Sequence, residues 1–353
     1  MNIYIRSAAC ISPQPTFGDQ PSWAATEPNS DNPSWATTEP NSDQASSSTP
    51  DLQSDRLTCI EPDYKTLLDA KALRRMSRII RMGVATANDC LQQAHQKEPH
   101  AIITGTAYGC LEDTGVFLQS LVERKEQTLQ PAPFIQSTHN TVGAQIALML
   151  QCTRYNNTFV HRGASFENAL LDAILLLKEG EAETVLTGAV DEITDTSHAI
   201  LQRFGLYRHA RAGEGAAFFL LASQPSPTDQ AKLDGMTTLY KPGDTKTVEN
   251  ALRSFLEQHD AQPDLVITGT NGDNTNDQLY RQLAAPESIF AGKNLLSYKQ
   301  LCGEYPTSTA FAFWMAARLL KEHKHRQILV YNHYLGIHHT AFLLSAVVQN
   351  KPE

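Results

Sequence analysis

An α/β fold made of two similar halves is what this sequence predicts, and three observations predict it. Strand-like and helix-like stretches alternate along most of the chain, the pattern that sets helices against a sheet. HAIITGTAYG at 100–109 has an echo in DLVITGTNGD at 264–273. AFFLLAS at 217–223 has another in AFLLSAV at 341–347, and both pairs keep their order, which points to a duplicated unit. The halves divide the chain into residues 1–224 and 225–353.

Taken in order, Asn2 to Ile11 alternates well enough for a first strand. PSWAATEPNSDN at 21–32 is then nearly repeated by PSWATTEPNSDQ at 33–44. Pro, Ser, Asn, Asp and Thr dominate there, and only two tryptophans could anchor anything, so burial does not offset the entropy of ordering the segment. Residues 16–50 are therefore expected to be a flexible insertion. The competing reading, a Trp-anchored binding motif, is weaker because two copies are too few for a solenoid.

A helix is predicted over Lys65 to Ala94. It carries LRRMSRIIRM at 73–82, with Arg74, Arg75, Arg78 and Arg81 inside eight residues. The bland interpretation is a solvated helix face; the functional one is a docking patch for an acidic partner. A strand at 100–108, a helix over Asp113 to Arg124, an irregular loop over Pro131 to Asn140 and a helix over Thr141 to Leu150 follow.

The stretch from Thr158 to Ile193 organises the first half. Thr158 to His161 is β-prone, Arg162 and Gly163 break it, and Ser165 is placed to cap the helix that follows. That helix, Phe166 to Lys178, is apolar on nearly every face and should be buried; Gly180 ends it. A strand feeding a buried helix through a tight turn presents a nucleophile well, because the helix N-terminus offers free N–H groups and a positive dipole end. Here the turn holds Gly163, which has no side chain. In the second half, strands are predicted at 236–241, 264–270, 327–334 and 340–348, and helices at 247–257, 276–284 and 307–322.

The chain has 353 residues and is 41% hydrophobic, enough for a large core. A net charge of −9 argues against general nucleic-acid affinity, which depends on basic surface. Cys10, Cys59, Cys90, Cys110, Cys152 and Cys302 are scattered, without a CxxC pair or a His–Cys cluster at ligand spacing. No metal site is expected, and a reduced cytoplasmic protein is. MNIYIRSAACIS has none of the marks of a signal peptide, and no apolar run is long enough to span a bilayer.

These motifs resemble the β-ketoacyl synthases of the thiolase superfamily. Arg74-Arg75-Met76-Ser77-Arg78 looks like the RRM(D/S)R helix start of those enzymes, and Ile103 to Gly109 is similar to their VxGTGxGG loop. GEAE at 180–183 followed by GAVD at 188–191 resembles GDAD…AGGAE, and GEGA at 213–216 is shared. VITGTNGDNTND at 266–277 falls over VNAHGTSTPLND, KQLCGE at 299–304 over KSMTGH, and NHYLGIHHTA at 332–341 over NSFGFGGTNA. The resemblance implies a thiolase-like fold, with the duplicated halves in a layered αβαβα arrangement.

It also implies a Cys nucleophile that takes an acyl group from a carrier protein, and two His that promote decarboxylation. Those positions fall on Gly163, Gly269 and Glu304. A glycine forms no thioester, and an ionised glutamate accepts hydrogen bonds where an enolate needs a donor. Substitutes for the lost chemistry are Ser165, Cys302, His338 and His339, with His161 close by; the plain roles are a helix cap, a core thiol and structural histidines. The expectation is a ketosynthase-like subunit without condensing activity, similar to the chain-length factors that pair with an active synthase. The synthase-like proteins of aryl-polyene and flexirubin-type pigment pathways are those it resembles. Gly163 would open space where a nucleophile stood. The implied partners are an active ketosynthase, in a heterodimer, and an acyl carrier protein docking at Arg74, Arg75 and Arg78. No cofactor is implied beyond the carrier's phosphopantetheine. Two alternatives stay open: a stand-alone homodimer that binds acyl groups or their carriers, and an acyltransferase or decarboxylase with a rebuilt site. Few residues separate GEGA from the ITGT strand, so the pocket should be open or completed by a partner.

Overall fold

The computed structural model describes residues 2–18 and 55–347. The repeat at 21–44 and residues 19–50 of the expected insertion lie outside them. Thr16, the first residue of that expected insertion, is instead buried, its hydroxyl 3.0 Å from Ser12 Oγ and 3.1 Å from the Cys10 carbonyl.

The first half runs β1 (Ile3–Ile11), α1 (Tyr64–Leu67), α2 (Ala70–Leu73), α3 (Arg78–Gln93), β2 (Ala101–Gly105), α4 (Leu111–Glu123), α5 (Pro131–Gln136) and α6 (Thr141–Leu150). It continues through β3 (Tyr155–Phe159), α7 (Ser165–Glu179), β4 (Thr184–Asp191), α8 (Asp195–Arg203) and β5 (Gly215–Ala222). The second half comprises β6 (Ala231–Tyr240), α9 (Thr245–Gln258), β7 (Leu265–Thr268), α10 (Asn274–Leu283), β8 (Leu295–Ser297), α11 (Lys299–Cys302), α12 (Thr309–Lys321), β9 (Gln327–Tyr334) and β10 (His338–Ser345).

The strands form one ten-stranded sheet in the order β3-β2-β4-β5-β1-β6-β10-β9-β7-β8. Adding five to each strand number of the first half gives the second half read from the other edge. Pairing directions repeat too: β2 is parallel to β3 and β4, β7 is parallel to β8 and β9, and β5 and β10 run antiparallel to their neighbours. The sequence echoes lie on β2 with β7 and on β5 with β10. The halves meet where Ile3, Tyr4 and Ile5 of β1 pair with Leu233, Lys232 and Ala231 of β6, so the sheet is continuous across them.

Alternation of side chains along each strand sorts the core into three layers. Ile102, Leu186 and Phe218 face α3 and α6 on one outer side. Leu329, Tyr331 and Leu343 face α9 and α10 on the other. Between them, the inner faces of both half-sheets cover α7 and α12. The layers are thus helix, sheet, helix, sheet, helix, as expected. Phe166 at the start of α7 joins the halves: its ring centroid lies 5.7 Å from that of Phe219 on β5, 5.8 Å from Phe313 on α12 and 6.0 Å from Phe342 on β10.

Several elements differ from expectation for local reasons. The helix expected over 65–94 is three pieces, because Asp63 and Asp69 each cap a new start and Leu68 between them is extended. α5 begins at Pro131, a favoured first helical residue, inside the expected irregular loop. α8 starts with a capping box between Thr194 and Ser197. α7 is amphipathic, with Leu171 and Leu175 exposed one turn apart. Gly180 ends it in the left-handed conformation, φ +76°.

Truncating Phe166 would empty the contact shared by α7, both half-sheets and α12. Phe166→Ala should cost about 3–5 kcal/mol in chemical denaturation; a loss below about 1 kcal/mol would show that the inner layer does not depend on this ring.

Candidate functional site

The turn between β3 and α7 is a short 3-10 segment, Arg162–Ala164, with Arg162 at φ +50°. Gly163 is buried within it. A Cβ built on Gly163 would fall inside the Tyr334 side chain, closest to its Cβ, Cγ and Cδ1. The expectation that Gly163 leaves open space is therefore wrong, because a tyrosine ring fills it. Tyr334 is the last residue of β9 and is itself buried. The hairpin to β10 turns through Leu335 (φ +54°) and Gly336 (φ +64°), and the Ile337 N–H donates to the Tyr334 carbonyl at 3.0 Å.

Gly269, after β7, is occupied in the same way. A Cβ there would lie 2.6 Å from the Tyr280 hydroxyl and nearer still to the Asn332 carboxamide oxygen. Those two groups are 3.4 Å apart, and Tyr280 also accepts the His333 N–H at 3.1 Å. Asn276 Nδ2 donates to the Gly269 carbonyl at 3.1 Å.

Glu304 does carry a functional group into the region. Its Oε2 accepts from Lys299 Nζ at 2.7 Å and from Asn271 Nδ2 at 2.8 Å. The Lys299 side chain is almost fully buried, so the ammonium depends on this carboxylate for compensation. The Glu304 backbone is pinned as well, its N–H on Arg211 O at 2.8 Å and its carbonyl on Gly213 N at 3.0 Å.

Glu304 and Tyr334 open onto a cavity of about 550 Å³, whose wall also includes Leu206, Tyr207, Asn271 and Asn276. His333 lines it too, and the sequence reading missed that residue. The period of β9 was the available signal: Tyr331 and His333 share one face, Asn332 and Tyr334 the other. Both ring nitrogens of His333 are engaged, Nε2 with Asn276 O at 3.0 Å and Nδ1 with the Gly336 N–H at 3.2 Å. Burial, nearby Lys299 and His339 push its pKa down to about 3, so the ring is neutral.

The proposed substitutes do not converge on the cavity. His338 and His339 are consecutive in β10 and so face opposite sides of the sheet. His338 packs against Tyr240, ring centroids 5.2 Å apart. His339 is buried, its Nδ1 2.9 Å from Tyr331 OH and its ring stacked on His333. Burial lowers both pKa values. Cys302 is fully buried, and burial drives its thiol well above the usual range, the reverse of what a nucleophile needs. Ser165 accepts the His161 N–H at 2.8 Å and donates to Arg162 O at 2.8 Å, so it closes the turn and makes no cap to α7. His161 is exposed and bonds to Asn168 at 2.9 Å.

Arg78 is also committed inside the fold. Its guanidinium grips the fully buried Glu214 with two nitrogens, at 2.6 and 2.5 Å, and reaches Glu61 at 2.5 Å. Glu214 further accepts from the Cys59 and Ile193 N–H groups. Arg78 therefore drops out of the expected docking patch. Arg74 and Arg75 remain exposed, in the turn between α2 and α3 and not on a helix.

Residues 44–263 match the family described as "Beta-ketoacyl synthase, N-terminal domain". The chain belongs to that family. Among solved structures, this β-ketoacyl synthase family member is similar to a type II polyketide synthase acyl-carrier protein in complex with its ketosynthase bound to the hexaketide. That likeness has TM-score 0.76 and 16% identity, covering 98% of this chain and 99% of the other. The ishigamide ketosynthase/chain length factor gives 0.77 and 15%, with 98% and 99% covered. A ketosynthase in complex with its chain length factor from Xenorhabdus doucetiae gives 0.67 and 14%, with 79% and 84% covered. At these identities the likeness speaks for the fold alone. No curated protein matches the sequence. Among the described residues no helix is long and apolar enough to cross a membrane, and no three His, Cys, Asp or Glu side chains are grouped to hold a metal ion.

Two outcomes test the site. Gly163→Ala should destabilise the protein by about 1–3 kcal/mol through overpacking, and Tyr334→Gly in the same chain, which removes the Cβ as well as the ring, should recover much of that; strictly additive losses in a double-mutant cycle would contradict the contact. Glu167, in the first turn of α7, accepts from Thr309 at 2.7 Å and is raised by burial to about 7. The folded protein then binds more protons than the unfolded chain between about 4.5 and 7, so stability is fullest below that window and falls as pH rises through it. Glu167→Gln should flatten that part of the stability curve relative to the wild type; parallel curves would show that Glu167 does not titrate there.

Proposed function

We propose that this chain is a ketosynthase-like subunit without the Cys-His-His condensing set, acting as a chain-length-factor-like partner of an active β-ketoacyl synthase. The observation that carries this reading is the filling of Gly163 by Tyr334. At the position where the resemblance puts the nucleophile there is neither a thiol nor room for one. The Asn332 and Tyr280 groups at Gly269 and the Lys299–Glu304 pair support it in the same sense. The setting is polyketide or fatty-acid-type biosynthesis, of the aryl-polyene kind its motifs resemble. Acyl groups arrive on the phosphopantetheine of a carrier, and the chain needs no cofactor of its own.

A face for the partner is available. β3 ends the sheet, and an unpaired edge is a template for strand addition. Tyr155 on β3 is 45% exposed, and Leu171 and Leu175 on the adjoining face of α7 are 42% and 44% exposed. The Tyr155 hydroxyl reaches Asp172 at 3.0 Å, which places these apolar groups side by side. Arg74 and Arg75 supply the exposed positive charge for an acidic carrier.

Co-expression with a candidate synthase should yield a heterodimer. Leu171→Asp with Leu175→Asp should abolish co-purification while leaving the thermal melt intact. A homodimer that persists beside an unbound synthase would favour the stand-alone reading instead. Charge reversal at Arg74 and Arg75 should weaken carrier binding severalfold and flatten its salt dependence; unchanged titrations would remove that patch from the account.

A further inference from the structure

The chain carries a net charge of −9, so most of its surface repels anions. One place departs from that. Four basic side chains gather around the β3–α7 turn and the strand ends beside it. His161 and Arg162 stand in the turn, and both are exposed. His338 opens β10 and pairs across the sheet with Tyr240, the last residue of β6, the two rings 5.2 Å apart. Lys241 comes next: its N–H donates to the Ile337 carbonyl at 2.7 Å, and its ammonium lies 5.2 Å from the centroid of the Tyr240 ring. Burial, and then the proximity of His161 and Lys241, push the pKa of His338 down, so the turn and the strand ends form one electrostatic cluster.

No carboxylate answers this cluster. None of the four side chains makes an ion pair among the described residues. The acids closest along the chain are committed elsewhere: Glu167 is buried on Thr309, Asp172 holds the Tyr155 hydroxyl, and Asp244 caps α9. Like charges held together without a counter-ion destabilise the isolated subunit, and an anionic partner relieves the repulsion.

The cluster also adjoins the apolar face offered to a partner. Asn168 bonds to His161 at 2.9 Å, and Asn168, Leu171 and Leu175 recur along α7 at the spacing of one helix face. Tyr240 and Leu335 are exposed among the cations, so an arriving acid meets apolar surface as well as charge.

We propose that His161, Arg162, Lys241 and His338 dock a carboxylate-bearing segment of the partner synthase, at one end of the contact made by Tyr155, Leu171 and Leu175. This rests on the partner-subunit reading and adds the chemistry that the partner presents there. Arg162 and Lys241 supply positive charge, and the two imidazoles supply N–H donors. Continuity with the apolar stripe favours the synthase over an acidic carrier as the occupant.

The full-length chain, co-expressed with the β-ketoacyl synthase that co-purifies with it and mixed with the acyl carrier protein, should be treated with a carbodiimide, which joins an amine to a carboxylate without a spacer. Peptide mass mapping should find Lys241 coupled to an Asp or Glu of the synthase. Dissociation constants of the heterodimer should be measured across about 50–500 mM salt. Arg162→Gln with Lys241→Gln should weaken the complex about tenfold at the low end and converge with the wild type at the high end, with thermal melts confirming that the variant folds. Lys241 coupled to the carrier alone, Lys241 uncoupled in a heterodimer that does form, or a double variant with the salt dependence of the wild type would overturn the proposal and leave the heterodimer standing. If no synthase co-purifies at any salt, the partner-subunit reading fails and takes the proposal with it.

Discussion

The contact between Gly163 and Tyr334 is the constraint on which the rest of the site depends. A turn that leads from an edge strand into a helix concentrates free N–H groups and the positive end of the helix dipole at one point. Here that point is covered by the ring of Tyr334, packed so closely that a methyl group on residue 163 has nowhere to go. The occlusion is built into the β9–β10 hairpin. Tyr334 still pairs with His338 across the strands, while Leu335 and Gly336 take the left-handed conformations that turn the chain back. The ring is therefore held by backbone geometry as much as by its own packing.

Similar replacements surround it. Asn332 and Tyr280 take the volume beside Gly269, and Glu304 is tied to a buried lysine that would otherwise be uncompensated. Hydrogen bonds close each of these sites on itself, leaving a cavity that offers shape, phenols, amides and a neutralised carboxylate. The aromatic contacts of Phe166 with both half-sheets lie in the first turn of the helix that follows, so the occluded site adjoins the aromatic inner layer.

Much of this was legible in the chain. The echoes at 100–109 and 264–273 marked β2 and β7, which hold equivalent places in the sheet order. Gly163, Gly269 and Glu304 could be singled out because the family resemblance puts the condensing residues at those positions. What filled the first two could not, because Tyr334 and Asn332 are far away in sequence and only the sheet brings β9 beside β7 and over the β3–α7 turn. Arg78 shows the opposite failure. It looked like part of a surface charge run, yet its partner Glu214 is 136 residues away and fully buried. His338 and His339 were grouped by adjacency, although the two-residue period of a strand separates them. The short elements β8 and α11 had too few residues to show a period at all.

The most direct measurement of the central claim follows intact masses and products when the isolated chain meets malonyl and acyl carrier proteins, alone and then together with its synthase. The account predicts an unmodified chain and no condensation product when it is alone, and product of defined length when the synthase is present. An acyl adduct on the isolated chain, or turnover by it, would contradict the account.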